Sequence, residues 1–136
     1  MAVTLATPLP SVDELFHPHC VEVVRDGAGL SLYFSRPPLP WPRDAFEHDR
    51  TALPALMPFL RHVGLYAYRA GFLRQFAQLP PTPLERIESL EQLRALDPGC
   101  PIAVRIGPGP FPAGVDTPED RARVERILAE HTWAKK

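Results

Sequence analysis

The groups in this chain best suited to chemistry are carboxylates near helix ends and one strand face that mixes an imidazole with phenols. In Gly114-Val115-Asp116-Thr117-Pro118-Glu119-Asp120, Thr117 suits an N-cap, Pro118 the first helical position and Asp120 the capping-box acid. Asp116 then stands just outside a helix N-terminus, on the side of an α/β sheet where ligands bind. Two readings fit it: a ligand for a metal that holds phosphates, or a second cap for the helix. In the run from Arg61 to Arg69, alternation puts His62, Gly64, Tyr66 and Tyr68 on one face and Val63, Leu65 and Ala67 on the other. The second face is expected to be core. The first offers a polar wall for a sugar, with Gly64 leaving room for approach; a structural histidine is the competing reading. Glu88 and Gln92, four apart on one helical stripe, either line a pocket or face water.

Two other clusters carry less. His17-Pro18-His19-Cys20 holds three soft-metal ligand types, but the proline splays the imidazoles and no fourth ligand is evident. Gly107-Pro108-Gly109-Pro110 lacks the lysine and spacing of a phosphate-cradling loop.

The elements that must position these groups read as mixed α/β, broken by 18 prolines. Val3 to Thr7 is a strand stopped by Pro8, and Ser11-Val12-Asp13-Glu14 has capping-box spacing that opens a short helix through Phe16. Cys20 to Arg25 and Leu30 to Arg36 are β-rich runs joined by Asp26-Gly27-Ala28-Gly29, a hairpin signal. A proline loop follows around Trp41, then a weak helix or irregular stretch from Asp49 to Leu60. His62 to Tyr68 forms a strand and Phe72 to Phe76 a short helix. A helix from Pro83 to about Leu96 has Thr82 as N-cap and Glu85 at the capping-box position. Its apolar residues Leu84, Ile87, Leu90, Leu93 and Leu96 recur every third position. Such a series walks around an α-helix, so this helix should touch protein on more than one side. Pro101 to Ile106 is a buried strand, and the last helix has Val124, Ile127 and Leu128 as a core-facing stripe.

At 136 residues, 45% apolar and 23% charged, residues 1–136 make one modest globular domain. Fifteen basic side chains nearly balance 16 acidic ones, which argues against nucleic acid or an anionic membrane as partner. The two cysteines, Cys20 and Cys100, suggest neither a disulfide framework nor a zinc site. With no signal-peptide layout and no membrane-length apolar run, a soluble cytoplasmic setting is expected.

Several motifs, in order along nearly the whole chain, resemble 3-deoxy-manno-octulosonate cytidylyltransferase, the CMP-Kdo synthetase family. They are Leu32-Tyr33-Phe34-Ser35-Arg36 with Leu39-Pro40-Trp41, Phe59 to Arg69, Pro83-Leu84-Glu85 with Leu90-Glu91-Gln92-Leu93-Arg94, and the final Gly-Val-Asp-Thr-Pro-Glu-Asp. The resemblance implies a partial Rossmann-like nucleotide-diphospho-sugar transferase fold, with an inserted antiparallel hairpin segment used for homodimerisation. It implies coupling of CTP to Kdo (3-deoxy-manno-octulosonate), giving CMP-Kdo and pyrophosphate for lipopolysaccharide biosynthesis, with Mg²⁺ as cofactor. On this match Asp116 is the Mg²⁺ ligand, and Arg36, His62, Tyr66, Glu88, Glu91 and Gln92 fall on sugar-acid motifs. Arg36 would pair with the Kdo carboxylate while the others read hydroxyls.

The chain also departs from the pattern. It resembles the second half of the family only, without counterparts of the lysine-glycine nucleotide loop or the Gln-Gly-Asp segment. Glu22 stands where the family has lysine, Pro42 where an acid follows Trp41, and His17 and His19 where asparagines stand. Three expectations follow: the substrate half of a cytidylyltransferase completed by an N-terminal half, a non-catalytic remnant that dimerises or binds an acid sugar, and a regulatory or interaction module for a nucleotide-sugar enzyme. An uncovered sheet edge or face would favour self-association over a clean monomer.

Overall fold

A computed structural model describes residues 2–55, 58–108, 111–112, 114–115 and 117–130. The chain runs β1 (Ala2–Pro8), α1 (Val12–Leu15), β2 (Glu22–Arg25), β3 (Ser31–Ser35), α2 (Arg43–His48), β4 (Leu60–Tyr68), α3 (Ala70–Phe76), α4 (Pro83–Glu88), α5 (Leu93–Leu96), β5 (Ile102–Ile106) and α6 (Pro118–Glu130). One five-stranded sheet has the order β3-β2-β4-β1-β5. β1 and β5 run parallel, and the other neighbours are antiparallel. The hairpin signal between β2 and β3 is borne out: Asp26 Oδ1 accepts from the amides of Ala28 and Leu30, both at 2.9 Å, and Gly29 adopts φ 82°. The tip of this hairpin reaches the free edge of β5, where Leu30 bridges Ala103 and the Val104 amide donates to the Gly29 carbonyl at 2.7 Å.

The main core joins Ala2 and Ala6 of β1, Phe34, Ile102 and Val104 of the other strands, and Phe72, Leu90 and Leu93 from the helical side. A second core gathers Leu9, Leu15, Cys20, Phe46 and Phe59 under α1 and α2.

Three expectations are corrected. The helix expected from Pro83 to Leu96 is two helices. α4 opens with the complete Thr82/Glu85 capping box and stops at Ser89, which takes the left-handed conformation at φ 54°. The break divides the three-residue apolar series, leaving Ile87 80% exposed while Leu90 and Leu93 are buried. Of the two readings for Asp49 to Leu60, the irregular one holds among the described residues; an unexpected helix lies earlier, at Arg43–His48, where it buries Phe46. The stripe on α6 is not core: no described residue of that helix is buried, although its Thr117/Asp120 cap forms as expected.

The third correction concerns β4. His62, Tyr66 and Tyr68 do share a side, but it faces the core: Tyr66 packs against the main core, and the Tyr68 ring stacks on Phe72. On the other side Leu65 and Ala67 are exposed and Val63 half-buried, and Tyr68, at the strand end, keeps part of its ring in solvent. The shared side survives an irregularity. Tyr66 pairs with Thr4 and His62 with Ala6, so Val63, Gly64 and Leu65 span the position opposite Leu5 alone. Two surplus residues preserve the alternation, and Gly64 supplies the positive φ (76°) that the bulge needs.

Candidate functional site

The side chains of interest fall into two groups on either side of the Ser89 break. The first is a junction between α4 and the β3 end. The Glu88 carboxylate accepts from the Arg36 amide (3.0 Å), Ser35 Oγ (3.3 Å) and the Tyr33 hydroxyl (3.4 Å). Arg36 replies with Nε to the Glu88 carbonyl at 2.7 Å, and its terminal nitrogens reach the carbonyls of Ser89 and Pro18. Burial and the neighbouring Glu88 carboxylate raise the Tyr33 phenol above its ordinary pKa. Arg36 here satisfies carbonyls left open at a helix end, so its guanidinium is largely committed within the chain.

The second group is a cleft of about 510 Å³ between β4, α3 and α5. It is lined by Gly64, Tyr66, Tyr68, Leu73, Phe76, Ala77, Glu91, Gln92 and Arg94. Of the six sugar-site expectations, Tyr66, Glu91 and Gln92 meet here; Arg36 and Glu88 are at the junction, and His62 lies behind Tyr66. The Tyr66 hydroxyl is buried, with no hydrogen-bond partner among the described residues, and burial pushes its pKa upward. An unpaired buried hydroxyl costs about 1–3 kcal/mol. Burial, with Glu91 adding, also raises Tyr68.

The wall is held by aromatic contacts. Phe34, His62, Tyr66, Tyr68, Phe72 and Phe76 touch in sequence with centroid separations of 5.1 to 6.2 Å. His62 Nε2 lies 2.9 Å from Thr4 Oγ1, and burial lowers its pKa to about 4. It is a neutral support for Tyr66. Its position on a strand of aromatics gives the signal for this role.

Arg94 also stands at this cleft, a residue not expected there from the sequence. Its Nε donates to Glu85 Oε2 at 2.8 Å, its NH2 pairs with the other Glu85 oxygen, and its guanidinium lies 5.2 Å over the Phe76 ring. The carboxylate grip holds a five-donor cation at the cleft while leaving further N–H groups on it. Its nearness in sequence to Glu91 and Gln92 was the available signal.

A smaller cavity of about 110 Å³ is lined by Glu14, His17, His19, Cys20, Arg61, Gly114 and Asp120. Arg61 and Glu14 form an ion pair at 3.4 Å. Asp116, the expected metal ligand, lies outside the described residues. Among the described residues no three His, Cys, Asp or Glu side chains stand together as a metal site. Nearby, Glu22 is fully buried with neither carboxylate oxygen hydrogen-bonded among the described residues. Burial, with the charge of Glu88 adding, pushes it up to about 8, and burial likewise pushes the Cys20 thiol up to about 12.

No helix among the described residues is long and apolar enough to cross a membrane. A family model described as "Cytidylyltransferase" matches residues 1–103. A 3-deoxy-manno-octulosonate cytidylyltransferase of Xanthomonas campestris pv. campestris (strain 8004) is 57% identical over 126 residues, 93% of this chain and 50% of the relative. One from Stenotrophomonas maltophilia (strain K279a) is 54% identical over 125 residues, 92% of this chain and 49% of the relative. A solved CMP:2-keto-3-deoxy-manno-octonic acid synthetase complexed with CTP superposes with a TM-score of 0.78 at 37% identity, covering 95% of this chain and 49% of that one. The chain thus spans about half the length of the relatives it matches, and its sheet has the nucleotide-diphospho-sugar transferase fold.

Proposed function

The chain belongs to the cytidylyltransferase family, and from that premise we propose that it carries the sugar-binding region of a CMP-Kdo synthetase. That enzyme couples CTP to Kdo and releases pyrophosphate for lipopolysaccharide assembly. The observation that supports this reading is the cleft that joins Tyr66 and Tyr68 to Glu91, Gln92 and Arg94. Phenols, an amide and a carboxylate match the alternating donors and acceptors of a polyol. Arg94 matches the acid end of the sugar, a task first expected of Arg36. Binding there would fix the sugar while its anomeric hydroxyl meets the α-phosphorus of CTP, a step governed by positioning. Mg²⁺ would neutralise phosphate charge when bound, with Asp116 as the ligand from this chain. The remaining nucleotide contacts would come from the half of the family chain not spanned here, in a cytoplasmic homodimer.

Calorimetric titration of Kdo into the purified chain tests this. Saturable binding that Arg94→Ala abolishes is expected, and no binding at millimolar Kdo would sink the reading. Glu22 favours a second reading, a chain that binds the acid sugar, or another nucleotide-sugar enzyme, without turnover. It places a buried acid where the resemblance expects lysine. Kdo binding without CMP-Kdo formation in the completed enzyme, and turnover recovered by Glu22→Lys, would select it.

A further inference from the structure

Glu85 is the capping-box acid of α4, and it also grips a residue of the cleft. Its Oε2 accepts from the Thr82 amide at 3.4 Å and from Arg94 Nε at 2.8 Å, while Oε1 takes the Arg94 NH2 group. Thr82 Oγ1 in turn accepts from the Glu85 amide at 3.3 Å, so the start of α4 is tied to the guanidinium through one carboxylate. The Phe76 ring adds a second constraint, since the Arg94 guanidinium lies 5.2 Å over its centroid. The side chains of Arg94 and Glu85 are only 20% and 13% exposed, against 77% and 60% for the Arg121–Glu125 pair on α6. A shielded pair joined by two hydrogen bonds fixes the plane of a guanidinium, which an exposed pair does not.

We infer that Glu85 is a positioning residue of the cleft: it sets Arg94 so that the N–H groups left over from the grip meet the carboxylate of an acid sugar. The inference rests on the sugar-binding reading above. Glu91 is the other charged residue lining the cleft. An arginine released from Glu85 would turn to that carboxylate, and each would neutralise a group the sugar needs. With Glu85 in place, a long and rotamer-rich side chain is ordered before the ligand arrives, so binding does not have to supply that ordering. Glu85 is not among the residues that line the cleft, and it acts on a ligand only through Arg94.

Titration of the purified chain with Kdo and with its carboxyl methyl ester, read by ligand-detected NMR, tests it. Glu85→Gln keeps an oxygen for the Thr82 amide, since glutamine also serves in a capping box, but it turns an NH2 group toward the Arg94 donors. Kdo affinity should fall roughly tenfold, the effect of one long side chain that binding must now order. Affinity for the uncharged ester should change by less than about twofold, or stay undetectable in both chains, because the ester offers Arg94 no carboxylate. Thr82→Ala weakens the cap but keeps the ion pair, so it should lower the urea midpoint and leave Kdo affinity within about twofold. Equal losses for Kdo and ester in Glu85→Gln would make Glu85 a general support of the cleft and overturn the inference. If Glu85→Gln does not fold, Glu85→Asp, with the same charge on a shorter arm, is read in the same way; failure of both to fold also overturns it. Absence of Kdo binding to the unsubstituted chain removes the sugar-binding reading and this role with it, whereas Kdo binding that Glu85→Gln leaves intact removes this role alone.

Discussion

The Glu88 junction and the Tyr66 cleft lie on adjoining stretches of chain and use similar side chains, yet one is closed and the other open. At the junction every strong group has a partner: three donors converge on one carboxylate, and Arg36 returns to three carbonyls. In the cleft a buried phenol is left without one, and a guanidinium is gripped on one side only. Polar residues that sit close in sequence thus separate into a lock that fixes α4 to the sheet and a surface kept ready for a ligand. Residue type does not tell the two apart; satisfaction of hydrogen bonds does.

The comparison breaks most visibly at the junction. Glu88→Ala strands the Arg36 amide and two hydroxyls, and a stability loss of about 3 kcal/mol is expected in urea unfolding. A loss below about 1 kcal/mol would show that the lock carries little.

The next effect is set by pH. Glu22 holds its proton to about 8 in the folded chain against 4.5 unfolded, so its contribution is full below 4.5 and lost as pH rises through 8. His62 titrates near 4 when folded against 6.5 unfolded, so its contribution is full above 6.5 and lost as pH falls through 4. Between pH 4.5 and 6.5 the two slopes oppose, giving a plateau. From pH 6.5 to 8 Glu22 acts alone, and stability should fall by about 2 kcal/mol. Urea midpoints that stay level over that range, or that fall equally in Glu22→Gln, would refute the assignment.

In the cleft, Tyr66→Phe removes an unpaired hydroxyl, so the stability change should stay within about 1 kcal/mol. Kdo affinity should drop roughly tenfold, the value of one hydrogen bond to the ligand. A stability loss as large as that of Glu88→Ala would place Tyr66 with the lock. The smallest effect is expected on the outward face, where Leu65→Gln should change the stability of the chain alone by no more than about 0.5 kcal/mol.

Much of this was legible in the sequence. The capping boxes at Thr82 and Thr117 and the Asp26 turn declared themselves because each is a local bond with a fixed spacing. The end of α4 was not legible, because a serine in the left-handed region carries no local signature. The orientation of β4 was misread for a physical reason. Its Val63–Ala67 side is as apolar as a core should be, and the helices decide which side is buried by packing on the aromatic one. The cleft was half legible. Tyr66, Glu91 and Gln92 came together as expected, while Arg36 and Glu88 found each other instead.

The bulge around Gly64 has a consequence for how this region tolerates change. Because its surplus is an even number of residues, point substitutions along the crest leave the direction of Tyr66 and Tyr68 untouched. Inserting or deleting a single residue there would turn both phenols to the far side of the sheet while His62 stayed in place. Positions 63 and 65 can therefore change identity more easily than the loop can change its length by one, while Gly64 is held by its positive φ.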